Sequence, residues 1–116
     1  LAYRDVASST NRLSLIAAVL PAGVVTTHSL FCLKSLLSSD TQAFLCAMLN
    51  SYVANYLVRQ VMTTHLGSAT VEALRVPNPR YDSVLFQEIV ELAHGLRTGD
   101  AHAGYALAPF ARRLWR

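Results

Sequence analysis

The run Leu13 to Leu20, read LSLIAAVL, has the length of a strand, and Pro21-Ala22-Gly23 ends it. Leu15, Ile16, Ala17, Ala18 and Val19 leave it no polar face. A strand apolar on both sides must be covered on both sides, so the run predicts an interior strand. Asn11 and Arg12 stand directly before it. The chain therefore sets two polar side chains of long reach against the segment that best anchors a turn.

The surrounding sequence fits a sheet around that strand. Ala2 to Ala7 reads as a short strand, Ser8-Ser9-Thr10-Asn11 as a polar turn, and Val24 to Thr27 and Leu30 to Leu36 as further strands separated by His28-Ser29. Helical spacing then takes over: Phe44, Leu45, Met48, Leu49, Tyr52, Val53, Tyr56 and Leu57 predict one amphipathic helix from about Thr41 to Met62. Ser39 or Asp40 would cap it, with Gln42 at capping-box distance from Ser39. Tyr52 and Tyr56 are expected at core and rim. Thr70 to Val76 reads as another strand, pinned by Val71, Leu74 and Val76 and stopped by Pro77-Asn78-Pro79.

A second helix begins at Ser83, carries Val84, Leu85, Ile89, Leu92, Ala93 and Leu96 on one side, and ends between Gly95 and Gly99. Residues 100–116 read as a basic tail or a linker helix, with Arg112, Arg113 and Arg116. Strands first and helices afterwards predict an α+β domain over residues 1–99: a curved, mostly antiparallel sheet with the long helix and the C-terminal helix packed on it.

The chain has 116 residues, 53% of them hydrophobic and 15% charged. That is one core, and a greasier surface than a free-standing domain usually carries, so part of it is expected to face a partner. Leu1 lies inside a segment that reads as a strand, which predicts a fragment of a larger protein. The net charge is +3, and nine of the ten basic side chains are Arg, Lys34 being the exception. A planar guanidinium suits phosphates and guanine edges better than an ammonium does, so the bias tilts toward nucleic acid. Cys32 and Cys46 lack zinc-site spacing and read as reduced core residues, with a disulfide between them as the alternative. No run is long enough to span a bilayer and no secretory signal is evident, so a cytoplasmic location is expected.

Candidates for catalysis are scattered singly: Asp5, His28, His65, Glu72, Asp82 and Glu88. Neither a phosphate-cradling glycine loop nor a metal-ligand spacing is present, so no catalytic residue, metal or cofactor is assigned to the chain. Asn and Arg are the side chains that read adenine and guanine bidentately, which makes Asn11 and Arg12, with Arg4 across the turn, candidate base or phosphate contacts. Solvated turn residues are the alternative. His65, between Thr64 and Leu66, reads either as a cap on the preceding helix or as a phosphate or base contact. Arg59, Gln60 and Arg75 would extend a basic edge if the helix end and the strand edge share a side.

Taken in order, Arg4-Asp5-Val6, Thr10-Asn11-Arg12, Ala18-Val19-Leu20-Pro21, Leu49-Asn50-Ser51, Thr64-His65-Leu66 and Val76-Pro77-Asn78-Pro79 resemble the C-terminal target recognition domain of restriction–modification proteins that fuse an adenine-N6 DNA methyltransferase to it. The helix, loop and proline pattern is also similar to the recognition domains of type I specificity subunits. The resemblance covers residues 2 to 79, about two-thirds of the chain. It departs at Leu13-Ser14, where such domains often carry threonine and a further polar residue.

The resemblance implies a module that reads double-stranded DNA through Arg4, Asn11, Arg12, His28, Arg59, Thr64 and His65. A separate methyltransferase domain of the parent protein would use S-adenosylmethionine to modify an adenine, with or without an endonuclease. The asparagine-proline-proline-aromatic motif of such a catalytic domain does not occur in this chain. The alternative is a docking module of the same parent that does not read DNA.

Overall fold

The computed structural model describes residues 1–99, and the tail or linker helix expected at 100–116 lies outside them. The architecture is α+β: a three-stranded antiparallel sheet of β1 (Ala2–Arg4), β2 (Ala17–Ala18) and β3 (Leu30–Cys32), with helices α1 (Ser39–Leu49), α2 (Tyr52–Arg59), α3 (Ser68–Glu72) and α4 (Val84–Arg97). The strand order is β2-β1-β3, so β1 is central and the long apolar run lies on an edge.

The interior strand expected at Leu13 to Leu20 is thus a two-residue edge strand. Ser14, Leu15 and Ala17 are buried while Ile16 and Ala18 are exposed. Its small side chains conceal an ordinary alternation that hydropathy alone reads as apolar on both faces. Of the two later strands only β3 forms. The segment from Pro21 to Asp40 is exposed or half-buried throughout, Cys32 included, which corrects its placement in the core. Cys46 is half-buried, and both thiols are free.

The long helix is two helices. Asn50 ends α1, and Ser51, in extended conformation with its Oγ accepting from the Ala54 N–H at 3.2 Å, starts α2. The apolar spacing runs on across this joint because a break of two residues barely changes which side chains face inward. The helix start is capped by Ser38 rather than Ser39 or Asp40: its Oγ accepts from Thr41 N–H at 3.2 Å. Tyr52 and Tyr56, expected at core and rim, are 70% and 63% exposed.

Thr70 to Val76 is no strand either. Its apolar positions Val71 and Leu74 are three apart, and α3 ends within it. The helix from Ser83 forms as expected, with Ser83 Oγ accepting from Phe86 N–H. Its buried residues are Phe86, Ile89 and Val90, while Val84 and Leu96 are exposed.

Two apolar clusters hold these parts together. One lies under the sheet, where Tyr3, Leu15 and Ala17 meet Leu49, Ala54, Val58, Met62, Leu66 and Val71. The other joins α1 to α4 through Phe44, Met48, Phe86, Ile89 and Val90, with the rings of Phe44 and Phe86 5.1 Å apart. The C-terminal helix therefore packs on α1, which in turn meets the sheet. His94 on α4 reaches Asp40 on α1 at 3.2 Å, tying the two helices at their antiparallel ends.

Candidate nucleic-acid interface

Beyond the C-terminal end of β1 the chain turns through residues 8–13. Ser8 organises the turn locally: its carbonyl accepts from Asn11 N–H at 3.1 Å and from Ser14 Oγ at 2.9 Å, and its Oγ pairs with Thr10 Oγ1 at 2.8 Å. Two half-buried guanidinium groups then hold three successive carbonyls. Arg59 Nη2 donates to the carbonyls of Asn11 and Arg12, its Nε donates to Ser14 Oγ at 3.1 Å, and Arg4 Nη2 donates to Leu13 O at 3.1 Å. Hydrogen bonds from a charged donor are among the stronger ones available, so the turn is fixed at its backbone.

The segment that follows is held by two asparagines. Asn55, buried on α2, accepts at Oδ1 from the N–H groups of Ser14 (2.8 Å) and Leu15 (2.9 Å), and its Nδ2 donates to Leu15 O (3.0 Å) and Ser51 O (3.2 Å). Asn50, at the joint between α1 and α2, accepts from Ala17 N–H at 2.9 Å and donates to Ala17 O at 2.8 Å. Ala17 lies in β2 and Leu15 two residues before it on the same outer edge, so the two amides take the place of a neighbouring strand.

Neither asparagine is among the expected contacts, although Leu49-Asn50-Ser51 is part of the resemblance. The available signal was Asn55, a polar residue three positions before Val58 and thus on the buried phase of a helix. A buried amide must find partners.

With its carbonyls held, the turn presents Asn11 and Arg12 outward, and neither side chain has a hydrogen-bond partner among the described residues. Thr64 and His65 come to the same end of β1 because residues 64–66 pair with residues 5–7. Leu66 N–H donates to Asp5 O at 2.8 Å, Ala7 N–H donates to Thr64 O at 3.4 Å, and Val6 and His65 form a bridge. His65 Nδ1 lies 3.1 Å from Asp5 Oδ2. The imidazole is 63% exposed and the carboxylate 16%, so Asp5 anchors one ring nitrogen of an otherwise exposed side chain.

His28 is exposed and precedes Ser29, whose carbonyl accepts from Asp5 N–H at 2.9 Å. All seven expected residues are thereby linked to the C-terminal end of β1. They divide into an exposed set (Asn11, Arg12, His28, Thr64, His65) and an inward pair (Arg4 and Arg59) occupied with the turn's own backbone.

Other features lie apart from this end. A groove of about 700 Å³ between β2, α1 and α4, lined by Ala18, Val19, Ala47, Ala93 and Leu96 among others, contains none of the seven. Among the described residues no three His, Cys, Asp or Glu side chains gather as a metal site, and no helix is long and apolar enough to cross a membrane. No known protein family, curated protein or solved structure matches the chain.

Proposed function

We propose that residues 1–99 form a target recognition domain that reads double-stranded DNA for a restriction–modification methyltransferase, with or without nuclease activity, in a longer protein. One observation carries the reading: Asn11 and Arg12 project from a turn whose successive carbonyls are held by Arg59 and Arg4 and whose following strand is held by the amides of Asn55 and Asn50. Discrimination between bases needs side chains positioned to a fraction of an ångström, and a turn fixed at its backbone supplies that. Arg12 and Asn11 act as the base-reading pair, while His28, Thr64 and His65 contact phosphate or a neighbouring base. Arg4 and Arg59 position the turn. S-adenosylmethionine and the adenine chemistry belong to the methyltransferase domain of the longer protein, and no residue of this chain is assigned to them. The reading places the protein in the cytoplasm.

A docking role without DNA is the second reading, favoured by the exposed Val24, Val25 and Leu36 and by the apolar groove. Selection from random duplexes at two salt concentrations separates the two. DNA reading enriches one short motif and weakens as salt rises, because phosphate contacts release counterions. Apolar docking is nearly indifferent to salt. Arg12→Ala should lower affinity for the selected motif about 10- to 100-fold and for unrelated DNA far less. Absence of any retained DNA at low salt overturns the recognition role.

A further inference from the structure

The sheet has two edges, and they are finished differently. Along β2 and the residues leading into it, the outward groups of Leu15 and Ala17 are occupied by Asn55 and Asn50. At β3 the register is Ala2 with Cys32, Tyr3 with Phe31 and Arg4 with Leu30, with Leu33 N–H donating to Leu1 O and Asp5 N–H to Ser29 O. Bonded and non-bonded pairs alternate along an antiparallel ladder, so Leu1/Leu33, Tyr3/Phe31 and Asp5/Ser29 bond each other, and Leu30 and Cys32 turn their backbone groups outward. Leu30 N–H is already used by Thr27 O at 3.2 Å. Cys32 N–H and the carbonyls of Cys32 and Leu30 have no partner among the described residues.

We propose that this edge pairs with the same edge of a second copy of the chain, β3 against β3 in antiparallel fashion, about a two-fold axis at Cys32. Among registers centred within β3, the free groups select one. Centred on Cys32, each Cys32 N–H donates to the other copy's Cys32 carbonyl, and each Leu30 carbonyl accepts from the other copy's Lys34 N–H, four bonds in all. Centred on Phe31, the engaged Leu30 N–H leaves only two. The Cys32 register also brings Phe31 against Leu33 of the other copy, an apolar cross-strand pair made twice.

Charge does not oppose the contact. Between Arg12 and Asp40 the only charged side chain is Lys34, which meets Leu30 rather than its own counterpart. Exposed Val24, Val25, Leu30, Phe31, Leu33 and Leu36 supply the apolar surface around the paired strands. Because the β2 edge is occupied, pairing closes at two copies and does not run on into a fibre.

Sedimentation of the 116-residue chain without DNA, from micromolar to submillimolar concentration, should give a monomer–dimer equilibrium. A short bismaleimide should join Cys32 to Cys32, whose Cα atoms lie about 5.5 Å apart in a bonded antiparallel pair, and should leave Cys46 unlinked. Cys32→Pro takes away the outward N–H that the pairing needs and breaks no hydrogen bond to β1, so it should keep the circular dichroism spectrum and abolish the dimer. A monomer at every concentration overturns the proposal, as does a dimer that survives in folded Cys32→Pro or that fails to link through Cys32. Should the proline variant not fold, cross-linking of the native chain decides alone: a Cys32–Cys32 peptide supports the dimer, and its absence refutes it.

Discussion

Asn55 holds Leu15 as a neighbouring strand would: its Oδ1 accepts from the Leu15 N–H at 2.9 Å and its Nδ2 donates to the Leu15 carbonyl at 3.0 Å. The same Oδ1 accepts from Ser14 N–H, and all the residues involved are buried. Asn55→Ala would leave two backbone N–H groups and a carbonyl without partners in a dry place, each worth about 1–3 kcal/mol. A loss of about 3 kcal/mol or more in urea unfolding is expected. A change under about 1 kcal/mol would mean that water replaces the amide and that the segment is not held as described.

Arg12 and Arg59 should separate cleanly. Arg12 is an exposed side chain without a partner among the described residues, so Arg12→Ala should shift stability by less than about 0.5 kcal/mol. Arg59 bonds Asn11, Arg12 and Ser14, so Arg59→Ala should cost about 1–2 kcal/mol and increase amide exchange across residues 8–14. Lysine at 59 cannot reproduce the fork and should recover little of either. Equal stability effects at positions 12 and 59 would sink the division between probe and clamp.

How far the sequence disclosed this arrangement depends on the kind of signal. The strand-to-helix order, the turn at 8–13 and the start of α4 were readable because each rests on local chemistry: polar turn residues, a serine cap, helical spacing. The edge position of β2 was not, since Ala17 and Ala18 are too small for hydropathy to tell the buried from the exposed side. The joint at Asn50-Ser51 was hidden by apolar spacing that continues through it. Arg4 and Arg59 looked like cations free for DNA, and only tertiary contact reveals that they face the turn's carbonyls. The Asp5–His65 pair joins residues 60 positions apart and leaves no local trace.

Tyr3 is buried, and its hydroxyl has no hydrogen-bond partner among the described residues. Burial pushes its pKa above the ordinary tyrosine value, with Asp5 and Glu72 adding to the rise. The unfolded chain therefore releases this proton at lower pH than the folded one. The contribution to stability is intact below the unfolded value of about 10 and falls as pH rises beyond it. Tyr3→Phe should flatten that alkaline decline and raise stability near neutrality by about 1 kcal/mol, because an unpartnered hydroxyl no longer has to be desolvated. A destabilised variant would mean that the hydroxyl has a partner in solution, a trapped water being the simplest.

The two thiols should react at different rates. Cys32 is exposed on β3, whereas Cys46 is half-buried against the Ala17 carbonyl and burial raises its thiol pKa. Only the thiolate attacks a disulfide reagent, so at pH 8 Cys32 should be modified first and Cys46 should accelerate on addition of urea. Dimerisation through β3 would slow Cys32 as protein concentration rises, while labelling independent of concentration would speak against that pairing.

Asn50 tests why assembly stops at two copies. Its amide occupies both the N–H and the carbonyl of Ala17, the outward groups of the β2 edge. Asn50→Ala would expose them at the rim of an apolar groove bordered by Ala18 and Val19, leaving a molecule with open strand edges on both sides of its sheet. Such edges template further pairing. Sedimentation of Asn50→Ala should therefore show species larger than a dimer, growing with concentration, and adding Cys32→Pro should cut them back because only one edge then remains open. If Asn50→Ala loses stability yet stays at the native assembly size, the amide serves as a helix-end clamp alone and the limit on assembly lies elsewhere.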